Sequence, residues 1–182
     1  MKNLLVMAFT IFIMFVVIGL FLKKEYLATQ ELIIHAPHQE VFARINDLTT
    51  WLDWGVWNES DPSLNVKHGQ VTKGKGATTQ WEGETGNGRI LITESDPQHI
   101  SYDVWFAKDA LKNQGEFEIE IKDGKTLVKW NMWGEVNHPI LGGYIAKFME
   151  IMNGKMAKQS LENLKLQLEH QNDYITPQKM NH

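Results

Sequence analysis

The stretch Gly115–Lys122 reads GEFEIEIK, with Phe117, Ile119 and Ile121 on one side of a two-residue period and Glu116, Glu118 and Glu120 on the other. Successive strand side chains point to opposite faces, so such a segment needs an apolar layer on one face and water on the other. The same period recurs from Leu64 to Glu135. It predicts strands at Leu64–His68, Ala77–Glu84, Gly88–Glu94, Ile100–Phe106, Gly115–Lys122 and Thr126–Glu135, with an earlier one at Tyr26–Ile34. Lys73-Gly74-Lys75-Gly76, Thr85-Gly86-Asn87-Gly88, Ser95-Asp96-Pro97 and Lys122-Asp123-Gly124-Lys125 carry turn chemistry between them. The chain therefore requires an antiparallel sheet covered on one side.

The cover must come from helix. From Ile140 to about His170 the period changes to 3.6, with no proline and with Leu141, Ile145, Phe148, Met152, Met156, Leu161, Leu164 and Leu168 at helical spacing. Gly154 interrupts it at a cost of about 1 kcal/mol relative to alanine, and is read as a bend or a close approach to the sheet. Between the first strand and the others, Pro37 opens a helix with the stripe Val41, Phe42, Ile45 and Leu48. Thr49-Thr50 offers a cap for a second short helix or turn in Trp51–Trp57, WLDWGVW. Three indoles in seven residues make one broad apolar face. That face can seal one end of the core, gate an opening, or touch a membrane interface.

A separate constraint sits at the amino terminus. Leu4–Leu22 is uncharged and about 19 residues long, enough to cross a hydrocarbon layer of about 30 Å. The run is longer than a signal-peptide core and ends at Lys23-Lys24 without a small-x-small site, so a retained single-pass anchor is the expectation. Lys2 and the terminal amine roughly balance Lys23 and Lys24, which leaves the positive-inside rule nearly silent on orientation. The expected division is an anchor over 1–24, a folded domain over 25–172 and a disordered tail over 173–182.

Charge removes some functions. Setting aside Lys2, Lys23 and Lys24 leaves 15 basic residues against 22 acidic, a formal −7 with no basic cluster, which argues against nucleic acid as a partner. The absence of cysteine excludes disulfides and thiolate chemistry. His35 and His38 straddle a strand–helix junction with no nearby carboxylate, so neither a metal nor a cofactor is expected. Gly83–Gly88, GETGNG, lies between strands without a following helix and reads as a hairpin turn rather than a phosphate cradle. Glu82, Glu84, Asp103 and Tyr102 are the acid–base candidates, but alternation turns the carboxylates outward when Trp81 and Tyr102 face in.

Several stretches together carry a family resemblance. They are Ile33–Phe42 (IIHAPHQEVF), Trp51-Leu52-Asp53-Trp54 with Trp57 and Asp61-Pro62, Gly76–Trp81 with Gly83, Ile100-Ser101-Tyr102, Thr126–Trp130 and Leu161–Lys165. In this order the chain resembles the helix-grip fold of the SRPBCC or START-like superfamily, in its polyketide cyclase/dehydrase-like branch, over about residues 26 to 170. It departs at Ser160, where a glycine is usual. The resemblance implies an α+β domain: a curved antiparallel sheet of six or seven strands wrapped round the long C-terminal helix, with two short helices after the first strand. It also implies a cavity between sheet and helix. The inward-facing candidates for that cavity are Trp54, Trp57, Trp81, Tyr102, Val104, Phe106, Phe117, Ile119, Val128, Trp130 and Met132, with Ile145, Phe148, Met149 and Met152 from the helix. Members bind lipids and other apolar molecules, and some catalyse cyclisation or dehydration without a shared catalytic set. The expected function is membrane-anchored binding of an apolar small molecule or lipid. Its rivals are a cyclase/dehydrase-type enzyme, for which the sequence offers no compelling inward group and Tyr102 is the least poor candidate, and a non-catalytic interaction module using the tryptophan segment.

Overall fold

The computed structural model describes residues 1–57 and 61–175, with side chains through residue 170. Its elements are helix α1 (Lys2–Phe21), strand β1 (Glu25–Ile34), helix α2 (His38–Ile45), a 3-10 turn (Leu48–Thr50) and helix α3 (Trp51–Trp54). Strands β2 (Asn65–His68), β3 (Thr78–Gly83), β4 (Gly86–Asp96), β5 (His99–Phe106), β6 (Leu111–Lys122) and β7 (Lys125–Glu135) follow, then helix α4 (Gly142–Ile175). The seven strands form one antiparallel sheet in the order β1-β7-β6-β5-β4-β3-β2. Strands β2 to β7 are a meander, and β1 closes it by pairing with β7.

The alternation behaves as its chemistry demands. Phe117, Ile119, Val128, Trp130, Ile100 and Ile92 are all at most 1% exposed on the concave face. On the convex face two of the three β6 glutamates are paired. Glu118 takes Lys129 Nζ at 2.8 Å, and Asn131 Nδ2 donates to both Glu116 and Glu118 at 2.9 and 3.0 Å. Glu118–Lys129 and Glu116–Asn131 are directly paired across β6 and β7, the first as an opposite-charge pair and the second as a hydrogen bond to a neutral amide. A register shift between Ile92 and Glu94 leaves an extra residue in β4 and bends the sheet there.

Helix α4 lies along β1 and β7 and leaves the β3–β5 part of the concave face to α3 and to space. Leu161, Leu164, Leu168 and Ala157 are buried at that seam. One local expectation is corrected. Asp47 caps the 3-10 turn by accepting from Thr49 N at 3.0 Å, whereas Thr50 at the start of α3 makes no side-chain cap and donates instead to Arg44 O at 2.6 Å. Gly154 lies within the unbroken span of α4 and faces β1, where a Cβ would meet Gln30 Nε2 at 3.7 Å, an ordinary contact. The helix also runs through Asp173 to Ile175, and the rest of the expected tail lies outside the described residues. Ser160, in place of the usual glycine, is fully buried and its hydroxyl has no hydrogen-bond partner.

Helix α1 is exposed along its length except at half-buried Val16 and at buried Gly19, where it meets the start of α4. A Cβ on Gly19 would collide with Ile140 O and would reach Tyr144 at 3.0 Å. The Phe15 and Tyr144 rings stack at 4.5 Å, and Tyr144 Oη donates to Phe15 O at 2.9 Å.

Candidate functional site

The space left between α4, α3 and β3–β6 is a cavity of about 590 Å³, within the range of small-molecule sites. Its wall follows rows of the sheet. Tyr26 pairs with Gly134, Gly134 with Asn113, Asn113 with Val104, Val104 with Ile90 and Ile90 with Thr79. All of that row except Gly134 lines the cavity. The next row contributes Met132 and Tyr102. Trp81 and Phe106 stand edge to face at 5.7 Å on the outer part of the wall. Helix α4 supplies Met149, Asn153 and Met156, and the α3 region supplies Leu48, Trp51, Leu52 and Trp57.

Of the residues expected at a cavity, the structure brings together Trp57, Trp81, Tyr102, Val104, Phe106, Trp130, Met132 and Met149. It puts the others elsewhere. Trp54, Phe117, Ile119 and Val128 are 0% exposed and lie in the packed core away from the cavity wall. Phe117 stacks on Trp130 at 4.6 Å, and Trp54 sits edge-on to Trp130 at 5.9 Å. Ile145, Phe148 and Met152 turn outward, at 39%, 60% and 46% exposed. The first half of α4 is apolar on two neighbouring stripes. The cavity takes the flank with Met149 and Met156, not the larger one.

The WLDWGVW segment folds back on itself. Trp51 is buried, donates from Nε1 to Ile45 O at 2.8 Å, and meets Tyr102, Phe117 and Trp130 edge-on at 5.4 to 6.4 Å. Trp57 then stacks on Trp51 at 5.8 Å with the planes 9° apart. Gly55 makes that return possible, because a Cβ there would fall inside the Trp57 ring and 2.6 Å from Trp51 O. The segment is therefore a plug whose inner indole is core and whose outer indole is cavity wall.

The exposed wall residues Thr85, Gly86 and Ala107 put the opening at the β3–β4 and β5–β6 turns. These turns are tied together at Asn87, whose O accepts from Ala107 N at 3.1 Å and whose Oδ1 accepts from Lys108 N at 2.9 Å. Ala107, Lys108 and Asp109 all hold φ between 52° and 69°, a region that residues with a side chain enter uncommonly. Asp61 closes the other side. Its Oδ2 accepts from Thr85 N and Oγ1 at 2.9 and 2.8 Å, and its Oδ1 accepts from Ser63 N and Oγ. Gly83 is needed beneath it, since a Cβ there would strike Asp61 Oδ2.

Among the described residues three titratable groups reach the wall. The Ser63 hydroxyl, with Thr85, holds the Asp61 carboxyl well below the usual carboxylate range. Burial pushes Tyr102 far up and Tyr26 up to about 12. None of the three changes charge near neutrality. Asp103 faces the convex side, paired with Lys112 Nζ at 2.8 Å. Among the described residues no group of three or more His, Asp or Glu is placed to hold a metal.

Sequence reasoning missed Tyr26, Asn113, Asn153 and Met156 as wall residues. Asn113 had a readable signal: it is in phase with Gly115 and Phe117, so alternation alone puts a polar side chain on the apolar face.

A seven-stranded sheet gripping one long helix around an apolar cavity defines a helix-grip domain. The chain belongs to the family described as polyketide cyclase/dehydrase and lipid transport, whose model matches residues 27–169. Among solved structures it is similar to the KanY protein (14% identity, 80% of this chain and 98% of that one, TM-score 0.61). It is also similar to protein jhp0584 of Helicobacter pylori (11% identity, 78% and 87%, TM-score 0.59). A third is StfQ, a di-domain aromatase/cyclase (ARO/CYC) of the steffimycin biosynthetic pathway (10% identity, 82% and 52%, TM-score 0.58). At these identities the likeness is one of fold. No curated protein matches the chain in sequence.

Proposed function

We propose that the chain is a membrane-tethered binder of an apolar small molecule or lipid and does no chemistry on it. The observation that carries this reading is the wall itself: aromatic, methionine and aliphatic side chains around about 590 Å³, with no group among the described residues that titrates near neutrality. Apolar walls with a few fixed polar groups suit binding, whereas acid–base turnover needs a group poised near the working pH. The family description, which couples cyclase and dehydrase with lipid transport, is compatible with either use of the pocket.

Tethering is supported by α1, whose 20 apolar-rich residues span about 30 Å at 1.5 Å each. It is supported also by how α1 meets α4. Tyr144 contacts Phe15, six residues before the end of α1 at Phe21, or about 9 Å along the axis. With α1 in a bilayer, the start of α4 reaches the interface, and the exposed stripe Leu141, Ile145, Phe148 and Met152 lies against lipid. That explains why the larger apolar flank of the helix faces away from the cavity.

The test is native mass spectrometry of the full chain released from detergent. One apolar adduct per chain is expected, and Val104→Trp, which fills the middle of the wall, should remove it. A chain without adduct, or an adduct indifferent to Val104→Trp, contradicts the proposal.

A further inference from the structure

The sheet has two ends, and one of them adjoins the anchor. Only Leu22 to Lys24 join α1 to β1. Val136 N donates to Lys24 O at 2.9 Å, which ties that link to the end of β7. Helix α1 is also pinned to the start of α4. A Cβ on Gly143 would collide with Leu22 Cβ, one on Gly19 would collide with Ile140 O, and Tyr144 both stacks on Phe15 and donates to Phe15 O. A domain held at these points does not swing on a loose tether. The sheet end that carries Glu25 and Glu135 stays beside the last turn of α1.

The strand registers show what else lies at that end. Tyr26 pairs with Gly134, Gly134 with Asn113, and Asn113 with Val104. One residue nearer the anchor, Glu25 pairs with Glu135, Lys112 with Trp105, and Trp105 with Arg89. Trp105 therefore stands level with Glu25, three strands away or about 14 Å. Its neighbours Val104 and Phe106 line the cavity, so alternation puts the Trp105 indole on the convex face. There Arg89 Cζ lies 3.7 Å and Lys112 Nζ 5.3 Å from the centre of its ring. The indole is only half-buried. On the same face half-buried Trp133 pairs with Leu27, which is 58% exposed, two residues further from the anchor. The turn beyond Trp105 adds exposed Lys108.

Half-exposed indoles with cations against them suit the boundary of a bilayer. Tryptophan is enriched at the glycerol and head-group level, and lysine and arginine make charge-assisted hydrogen bonds to phosphate. The aspartates that hold these cations do not bar this. Arg89–Asp109 at 2.9 Å and Lys112–Asp103 at 2.8 Å leave the cations 38% and 48% exposed, and ion pairs of that kind contribute little in water. The length of α1 leaves its tilt in the bilayer open. A contact at Trp105 sets it.

We infer that this end of the sheet is a second membrane-contact surface: Trp105, flanked by Arg89 and Lys112 on the neighbouring strands, seats in the phosphate and glycerol layer of the phospholipid bilayer that α1 spans. The inference rests on the reading of α1 as an anchor, and goes beyond it in fixing how the domain stands. The sheet is end-on to the bilayer. Thr85, Gly86 and Ala107, which mark the cavity opening, lie at the same end, so the opening is turned toward lipid.

The test uses the full chain in phosphatidylcholine–phosphatidylglycerol nanodiscs that contain a lipid with a nitroxide on its head group. The chain has no cysteine, so a single bimane can be placed by Ala110→Cys in the β5–β6 turn or by Lys125→Cys beyond the other end of β6. Strand β6 has 12 residues, about 40 Å at about 3.3 Å each, so the two labels report different heights above the bilayer. Relative to discs without nitroxide, the Ala110→Cys label should lose most of its emission and the Lys125→Cys label almost none. Adding Trp105→Asp to Ala110→Cys should restore most of that emission, with the far-UV circular dichroism unchanged. Arg89→Glu with Lys112→Glu, which leaves the indole in place, should act in the same direction. Equal quenching at the two positions, or stronger quenching at Lys125→Cys, overturns the inference while leaving the anchor standing. Quenching at Ala110→Cys that neither variant relieves overturns Trp105 and its cations as the contact. A chain that does not enter nanodiscs overturns the anchor and the inference together.

Discussion

Gly55→Ala is the sharpest single-atom perturbation the structure offers. The backbone there has φ −74°, which alanine adopts freely, so no cost comes from conformation. The cost comes from Trp57, whose ring occupies the place of the new Cβ, and from Trp51 O at 2.6 Å. Trp57 must leave Trp51. Losing a stacked aromatic pair costs about 0.5–1.5 kcal/mol. Releasing the buried half of an indole, about 100 Å² at about 25 cal/mol per Å², costs roughly 2.5 kcal/mol more. Alanine returns about 0.4–1 kcal/mol by restricting the unfolded chain. The net is about 3 kcal/mol, or about 6–12 °C of unfolding temperature for a domain of this size. Thermal unfolding followed by near-UV circular dichroism reads both the stability and the coupled indoles. In a Trp57→Ala background only the approach to Trp51 O remains, so the same substitution should cost distinctly less. An equal cost in both backgrounds, or no cost and an unchanged aromatic spectrum, refutes the reasoning.

Gly154→Ala should do the opposite, stabilising the chain by about 0.5–1 kcal/mol in thermal unfolding, because the site is helical and a Cβ there makes only an ordinary contact with Gln30 Nε2. The carboxylates of Asp61, held by Ser63 and Thr85, and of Glu118, held by Lys129, have lowered pKa values in the folded state. Their contribution is present above the ordinary carboxylate range and is lost as pH falls through the folded values, so the unfolding temperature should drop below about pH 4 and not between pH 5 and 8. Asp61→Asn should lower it at pH 7 and weaken its acid dependence. Because the chain has no cysteine, Phe148→Cys gives a unique spin-label site. In nanodiscs its relaxation should respond more to oxygen than to a water-soluble nickel complex; the reverse order would place α4 away from lipid.

The sheet was readable because one face is wet: Glu116, Glu118 and Glu120 against Phe117, Ile119 and Ile121 admit a single phase. Helix α4 was readable in existence but not in rotation. Its first half carries apolar residues on two flanks, and periodicity favours the fuller stripe, Leu141, Ile145, Phe148 and Met152, which turns outward beside α1. The start of β6 was hidden for a different reason. The β5–β6 turn is built from Ala107, Lys108 and Asp109 at positive φ with no glycine or proline to announce it. Reading β6 from Gly115 left Asn113 outside the strand and so outside the candidate site. Whether inward residues become core or wall was not legible. Phe117 and Tyr102 share a face, yet one is packed over by Trp51 and Trp54 while the other borders the cavity. That outcome depends on where α3 and α4 stop covering the sheet, a three-dimensional fact with no local signature.

The account turns on open apolar room between Trp81, Val104 and Trp130. Crystals of the full chain held under xenon test it most directly, since xenon settles in dry apolar cavities and not in packed cores. Xenon density within contact of those three side chains is the predicted result. A region without xenon, with the Trp57 and Trp81 indoles filling the space instead, would contradict it.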